Sequence, residues 1–375
     1  MLLDLFTGRK REPAECIIRI DGEEISHLYG CLVEVSVNSG RLNGAEGTMR
    51  FESRRDEKGA WLVQDDPAIH PWAEIEILAK FGDLEEEVVR GYLKKVTSQY
   101  PSEAGSASVT VSFQDASILM DRNHRRTVWG GESPTTDQAI LEEMLGGTGI
   151  SLHADSESQD GLVLQQNSTD IRFLRTRAQG IGYELIFREG ELYFGPMRLD
   201  GEPQSTILVY AGPDTNCISF SIDDDGHLPD QVVFDVAAET GADSIERSVE
   251  PDLPLLGNEP ASSQGSGLPE FAWRLDREGL ATETDLEAVA QARANENSMK
   301  VKVSGQLDGS LYGHVLKVGE TVGVDGVGER HNGIYYVDQV THVFDGSGYR
   351  QSFRLMRNAY GDNLGAGPTN PLAAL

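Results

Sequence analysis

Apolar and polar residues alternate with a period of two through most of the chain from Ala14 to about residue 120. In AECIIRIDGEEI, apolar runs flank Asp21-Gly22, a dipeptide suited to the left-handed backbone of a two-residue hairpin turn. CLVEVSVNSG places apolar side chains on one face of a strand and polar ones on the other. AEIEILAKFGDLEEEVVRGYLKKVTSQY and ASVTVSFQDASILM continue the pattern, with Gly82-Asp83 and Gly105 as breaks. Glu74 and Glu76, two residues apart, share one strand face. The pattern predicts an antiparallel barrel or sandwich over residues 1–120.

Beyond that point the period lengthens. Ser133 followed by Pro134 predicts a helix start, the hydroxyl capping free amides and the proline taking the first helical position. Ile140, Leu141, Met144 and Leu145 then share one face, and Gly146-Gly147 ends the helix. A strand-like GISLHAD and a polar loop lead to STDIRFLRTRAQGIGYELIFREGELYFGP, residues 168–196. Here Ser168 is the expected cap, Ile171, Leu174 and Ala178 line one side, and Gly180 or Gly182 stops the helix. Residues 183–187 and 191–194 flank the turn REG as a hairpin. Residues 121–205 therefore read as a small α+β insert.

Strands return at STILVYAG, NCISFSID and PDQVVFDVAA, which makes residues 206–360 a second β domain. A loop rich in Pro, Gly and Ser at 250–269 and a helix at 282–297 interrupt it. Thr282 is that helix's expected cap, with Leu286, Val289, Ala290 and Arg293 on one stripe. The last residues, 361–375, read as a flexible tail or one that orders against a neighbour.

The two β domains share an internal similarity. Residues 89–115 and 332–358 each carry an apolar strand ending in Val-Thr, a Gly/Ser turn and an alternating strand, preceded by AEIEI in one case and GETVGV in the other. A duplicated β unit follows from that plan.

Composition narrows the function. Sixty-one acidic residues against 32 basic ones give a formal charge of −29, which opposes docking on nucleic acid or on an anionic membrane. Three cysteines, Cys16, Cys31 and Cys217, form no CxxC pair, so reduced thiols are expected, with a bridge between Cys16 and Cys31 as the alternative. MLLDLF is too short for a signal peptide and no later run approaches a membrane span, so cytoplasmic synthesis without a membrane anchor is expected.

The chain carries no nucleophile elbow, HExxH, P-loop or paired CxxC. His331 and His342 could meet across a hairpin, but without a carboxylate pattern they read as solvated or core-edge histidines rather than a zinc site. SIDDDGHLPD has Val232 where a calcium loop needs its glutamate, so it reads as a tight acidic turn. DGVGERHNG and the pair Gly180 and Gly182 lack a following helix and make no phosphate cradle. No catalytic, cofactor-binding or metal-binding residue is nominated, and no enzymatic activity is expected.

Three blocks carry a resemblance: QDASILMDRNHRRTVW (114–129), NSTDIRFLRTRAQGIGYELIFREGELYFGP (167–196) and LKVGETVGVDGVGERHNGIYYVDQVTHVFDGSGYRQSFRLMRNA (316–359). In that order they resemble the phage late-control D proteins, the baseplate hubs of contractile tails and contractile injection systems. They are also similar to the N-terminal hub part of type VI secretion spike proteins. The resemblance implies a mainly β fold of two tube-like β-barrel domains plus the α+β insert, with three chains forming a ring. That homotrimer would adapt a hexameric tail tube, or its initiator proteins, to a trimeric spike, among baseplate wedge proteins in a virion or injection particle. It implies no cofactor and no sequence-specific nucleic-acid binding. Arg172, Arg175 and Arg177, on the helix of the insert, become candidates for docking on acidic neighbours, beside the reading of a solvated helix face. A β-rich cell-wall hydrolase or a carbohydrate-binding component of the same kind of particle is the alternative. The tryptophans at 61, 72, 129 and 273 are too dispersed to form an obvious sugar platform.

Overall fold

The computed structural model describes residues 13–102, 107–237, 244–262, 267–276 and 283–364. Its chain is mainly β. The first unit runs through β1 (Ala14–Ile20), β2 (Glu23–Glu24), β3 (Leu32–Gly40), β4 (Gly44–Glu52), β5 (Glu74–Phe81), β6 (Leu84–Gln99) and β7 (Ser108–Asp115). Asp21 and Gly22 take positive φ, 50° and 82°, as a two-residue turn demands. The second arm of that hairpin is only two residues long, because a 3-10 helix over Ser26–Cys31 follows.

The insert comprises β8 (His124–Trp129), α1 (Asp137–Leu145), β9 (Ser151–Leu152), β10 (Leu164–Thr169), α2 (Asp170–Ile181), β11 (Glu184–Arg188) and β12 (Glu191–Gly195). Two expected caps move. Thr136, not Ser133, caps α1 by accepting from Ala139 N, since Thr135 is drawn into a bridge with Leu162. Ser168 caps nothing. It sits in β10 opposite Arg125, and α2 begins after Thr169. The strand pairing with β8 claims the backbone that the cap would have used. Gly182, at φ 72°, ends α2 in the left-handed region and donates its N–H to Ala178 O, leaving Gly180 inside the helix. The predicted strand GISLHAD is reduced to the two residues of β9.

The second unit adds β13 (Gln204–Leu208), β14 (Cys217–Asp224), β15 (Gln231–Ala237), β16 (Ser244–Val249), β17 (Glu259–Pro260), β18 (Ala272–Arg274) and α3 (Glu283–Ser298). It closes with β19 (Val301–Asp308), α4 (Gly309–Tyr312), β20 (Thr321–Asp325), β21 (Gly333–Asp345), β22 (Gly348–Arg357) and β23 (Ala359–Tyr360). Leu286, Ala290 and Ala294 are the buried stripe of α3 and pack on Val232, Phe234 and Val236. Arg293, expected on that stripe, is exposed. Within the 250–269 stretch Leu256 and Ala261 are buried and β17 pairs with β23. Gly105, Thr282 and residues 365–375 lie outside the described residues.

Strands of both units join in one 13-stranded curled sheet with the path β14-β19-β22-β21-β3-β4-β7-β6-β5-β1-β2, on which β20 branches from β21 and β13 from β20, while β16-β15-β18 and β17-β23 form small sheets of their own. The neighbour order β3-β4-β7-β6-β5 in the first unit repeats as β14-β19-β22-β21-β20 in the second. Register repeats as well. The β6–β7 ladder bulges between Leu93 and Lys95, and the β21–β22 ladder bulges between Val337 and Gln339. The β3–β4 ladder bulges between Leu32 and Glu34, and the β14–β19 ladder between Cys217 and Ser219. Aligning these bulges matches Val96-Thr97 with Val340-Thr341, Asp115 with Arg357, and Asn38 with Asp223.

Each unit is built on an apolar core, the first of which also takes in Val315, Phe344 and Tyr349 of the second unit. Ile18, Val35, Met49, Phe51, Ile77, Val109 and Val111 fill the first, and Val303, Leu307, Val324, Tyr335, Val340 and Phe353 the second. Burying each such side chain contributes roughly 1.5–3 kcal/mol, which makes the alternation of the sequence the main determinant of the sheet. A third core holds the insert together, with Ile140, Leu141, Ile171, Leu174 and Phe194 in it. Glycine admits close approach in both copies. A Cβ at Gly47 would stand 2.4 Å from the Phe113 ring, and one at Gly305 2.5 Å from the Phe353 ring.

Candidate assembly surface

The two units meet where β21 pairs with β3. Seven residue pairs run from Gln339 opposite Gly40 to Asp345 opposite Glu34. Asn38 Oδ1 accepts from Gln339 Nε2 at 2.7 Å and from Thr341 Oγ1 at 3.0 Å, a polar clasp on the seam. Arg41, just past β3, donates through Nε to Asp338 at 2.7 Å and through Nη2 to Glu296 of α3 at 2.8 Å. Asp338 is available because it is the extra residue of the β21 bulge.

Behind the seam lies a buried carboxylate. Glu184 of β11 is fully buried, accepts from the Tyr336 hydroxyl at 2.5 Å, and lies 3.8 Å from Arg41 Nη1. Burial pushes its carboxyl up to about 7, against the pull of Arg41 and the Tyr336 hydrogen bond. Burial opposes the charge of Arg41, but Glu296, Glu184 and Asp338 overcome it and raise its pKa. The insert thus grips both units: Leu185 N donates to Arg41 O, Glu189 N to Glu87, and Arg188 pairs with Glu320 at 2.8 Å.

The three arginines of α2 part company. Arg177 turns inward and holds the buried Asp137 through Nε at 3.0 Å and Nη2 at 3.1 Å. Arg175 reaches Asn43 O at 2.8 Å, between β3 and β4, and ties the insert to the first unit. Arg172 keeps 74% of its side chain exposed, with Asp121 3.8 Å away.

His331 and His342 do not meet. His331 lies in the turn before β21 against the Tyr360 ring, while the buried His342 shares a hydrogen bond with Tyr349 Oη at 2.8 Å. β14 runs through Asp223 and Asp224, Asp224 binds Arg330 and Tyr360, and the turn begins only at Asp225-Gly226, where Asp225 accepts from the amide of His227. Among the described residues no three His, Cys, Asp or Glu side chains converge as metal ligands. All three cysteines are free, which removes the bridge between Cys16 and Cys31. Between β3, β6, β11 and residues 315–318 lies a cleft of about 50 Å³, against roughly 300–1,000 Å³ for a small-molecule site.

The free sheet edges are what sequence reasoning missed. Among the described residues β14 pairs only with β19, and β6 beyond Leu93 pairs only with β7. The signal was present in the duplicated hairpins, whose partners could be compared once the strand order was known.

A family model described as the Alg8 N-terminal domain matches residues 10–345. Among curated protein sequences none matches. The fold is similar to that of the 43 kDa tail protein of prophage MuSo2 from Shewanella oneidensis, with TM-score 0.68 and 12% identity over 92% of this chain and 98% of that one. A tail protein from Neisseria meningitidis aligns with TM-score 0.65 and 14% identity over 92% and 97%. An E. coli component of the type VI secretion system, itself similar in structure to bacteriophage T4 tail proteins, aligns with TM-score 0.54 and 12% identity over 92% and 78%. The fold is thus shared with phage tail proteins and a type VI secretion component.

Proposed function

The chain belongs to the family described as the Alg8 N-terminal domain, and from that premise we propose that it is a structural hub of a contractile tail or contractile injection particle. Three copies form a ring that adapts a hexameric tube to a threefold spike. The observation that carries this reading is the duplication: five strands in the same neighbour order, with bulges at the same rungs. Two equivalent units per chain turn three chains into six repeating units, which is what a junction between sixfold and threefold parts requires. Tail-tube or tube-initiator proteins then face one side, the spike faces the other, and baseplate wedges surround them, after assembly in the cytoplasm. Among the described residues no helix is long and apolar enough to cross a membrane.

Its working parts are rigid packing and strand pairing, without bond-making chemistry. Arg172, of the three candidate docking arginines, has the guanidinium most available for an acidic neighbour. The hydrolase and carbohydrate-binding readings gain no specific support from the histidine placement or the small cleft.

Light scattering of the purified protein tests the reading, alone and with its spike partner. A particle of three 41.0 kDa chains is expected, each interface burying more than about 2,000 Å². A strictly monomeric or dimeric species under both conditions overturns it.

A further inference from the structure

We propose that the free edge of β14 in one copy pairs antiparallel with residues 94–99 of β6 in a second copy, in the register of the β3–β21 seam. The copy number rests on the hub reading. The pairing itself rests on the strand edges.

The two units are equivalent in five strands but differ in which edges are covered. The later half of β21 has β22 on one side and β3 on the other. Its counterpart, the later half of β6, has β7 on one side and, among the described residues, no strand on the other. β3 lies between β4 and β21, while its counterpart β14 has, among the described residues, β19 alone. What the second unit offers and the first accepts within one chain, the first unit offers and the second accepts between chains. The two open edges lie towards opposite ends of the strand order, so a further copy supplies the match. Such a contact is head-to-tail, and it closes as a ring when the rotation per chain permits.

The aligned bulges fix the register. Gln339 opposite Gly40 becomes Lys95 opposite Asp225, Thr341 opposite Asn38 becomes Thr97 opposite Asp223, and Val343 opposite Ser36 becomes Gln99 opposite Ser221. In the seam, Asn38 accepts from Gln339 and Thr341. At the equivalent place, the Asp223 carboxylate accepts from the Lys95 ammonium and the Thr97 hydroxyl of the other copy. Lys94, Lys95 and Asp223 are exposed in the single chain, as this role requires. Two lysines facing the acidic run from Asp223 to Asp225 give local complementarity to a chain of charge −29, where self-association otherwise meets repulsion. Apolar surface accompanies the charge: Tyr100, beyond the end of β6, and Ile218, the extra residue of the β14 bulge, are 57% and 56% exposed.

The test is a cysteine pair, Thr97→Cys with Asp223→Cys in one chain, oxidised mildly and run without reductant. Cross-strand Cβ atoms in such a pair lie about 4.5–5.5 Å apart, near disulfide range. Covalent multimers are expected from the double variant and not from either single one. In parallel, Lys95→Asp should weaken association about tenfold, and adding Asp223→Lys should restore it; circular dichroism confirms that each variant folds. A trimer by light scattering with no cross-link and no response to Lys95→Asp overturns the register while leaving the hub reading intact. An unsubstituted chain that stays monomeric with and without its spike partner overturns both.

Discussion

Asp115 and Arg357 stand at the same rung of the same hairpin in two copies of one β unit, and they carry opposite charges. Asp115 gathers donors: Ala45 N at 2.5 Å, Ser117 N at 3.1 Å and the Ser117 hydroxyl at 2.5 Å. Arg357 gathers acceptors: Leu256 O at 2.9 Å, Asn332 O at 2.9 Å and Gly361 O at 2.6 Å. One buried position, with its polarity inverted, fastens β7 and β22 each to the segments that pass beside them.

Arg357→Met should therefore cost about 3 kcal/mol, since the buried Leu256 carbonyl and the half-buried carbonyls of Asn332 and Gly361 lose their donor while the side-chain volume is kept. Arg354→Met, three residues away on the exposed face of β22, should stay within about 0.5 kcal/mol. Urea midpoints compare the two, and equal midpoints would contradict the clamp.

Glu184 makes stability depend on pH. Its carboxyl rises from the ordinary 4.5 to about 7 because of burial, so between those values the folded chain holds a proton that the unfolded chain has released. The sign follows: this group's contribution is full below about 4.5 and declines as pH rises towards 7. Glu184→Gln should flatten that decline. Denaturation midpoints measured across the window for both proteins check it, and parallel profiles would refute it.

Gly91 lies against the backbone of β7, where a Cβ would stand 1.9 Å from Gln114 O. Gly91→Ala should displace the β6–β7 ladder and cost roughly 1–3 kcal/mol. Gly30→Ala, with nothing within 4 Å of the added carbon, should be close to neutral. Thermal melts of the pair read the difference.

The arginines of α2 should separate in the same way. Arg177→Ala leaves the buried Asp137 without its cation and should cost about 3 kcal/mol. Arg172→Ala should leave the melting midpoint unchanged and show its effect only when neighbouring components are mixed in, by co-sedimentation.

Fold class was legible because alternation has the period of the pleat. Val35, Val37, Val109 and Val111 are buried where the pattern placed them. The Val-Thr endings marked the duplication because both lie just after a bulge, at Lys94 and Asp338. The caps were less legible. Ser133 and Ser168 carry the right chemistry, but pairing of Thr135 with Leu162 and of β10 with β8 shifted both helix starts, and such partners are remote in sequence. The surface was the least legible. Arg172, Arg175 and Arg177 look alike along one helix, and only the packing of Asp137 and Asn43 distinguishes them.

One strand breaks the duplication. β1 runs antiparallel to β5, whereas β13 runs parallel to β20, the counterpart of β5. The copies therefore agree in five strands and disagree in the sixth. A ring closed from three such chains would repeat six times along the shared strands and three times along the strand that differs. Two periodicities would then coexist on one circumference, each legible to a different neighbour without any change of shape.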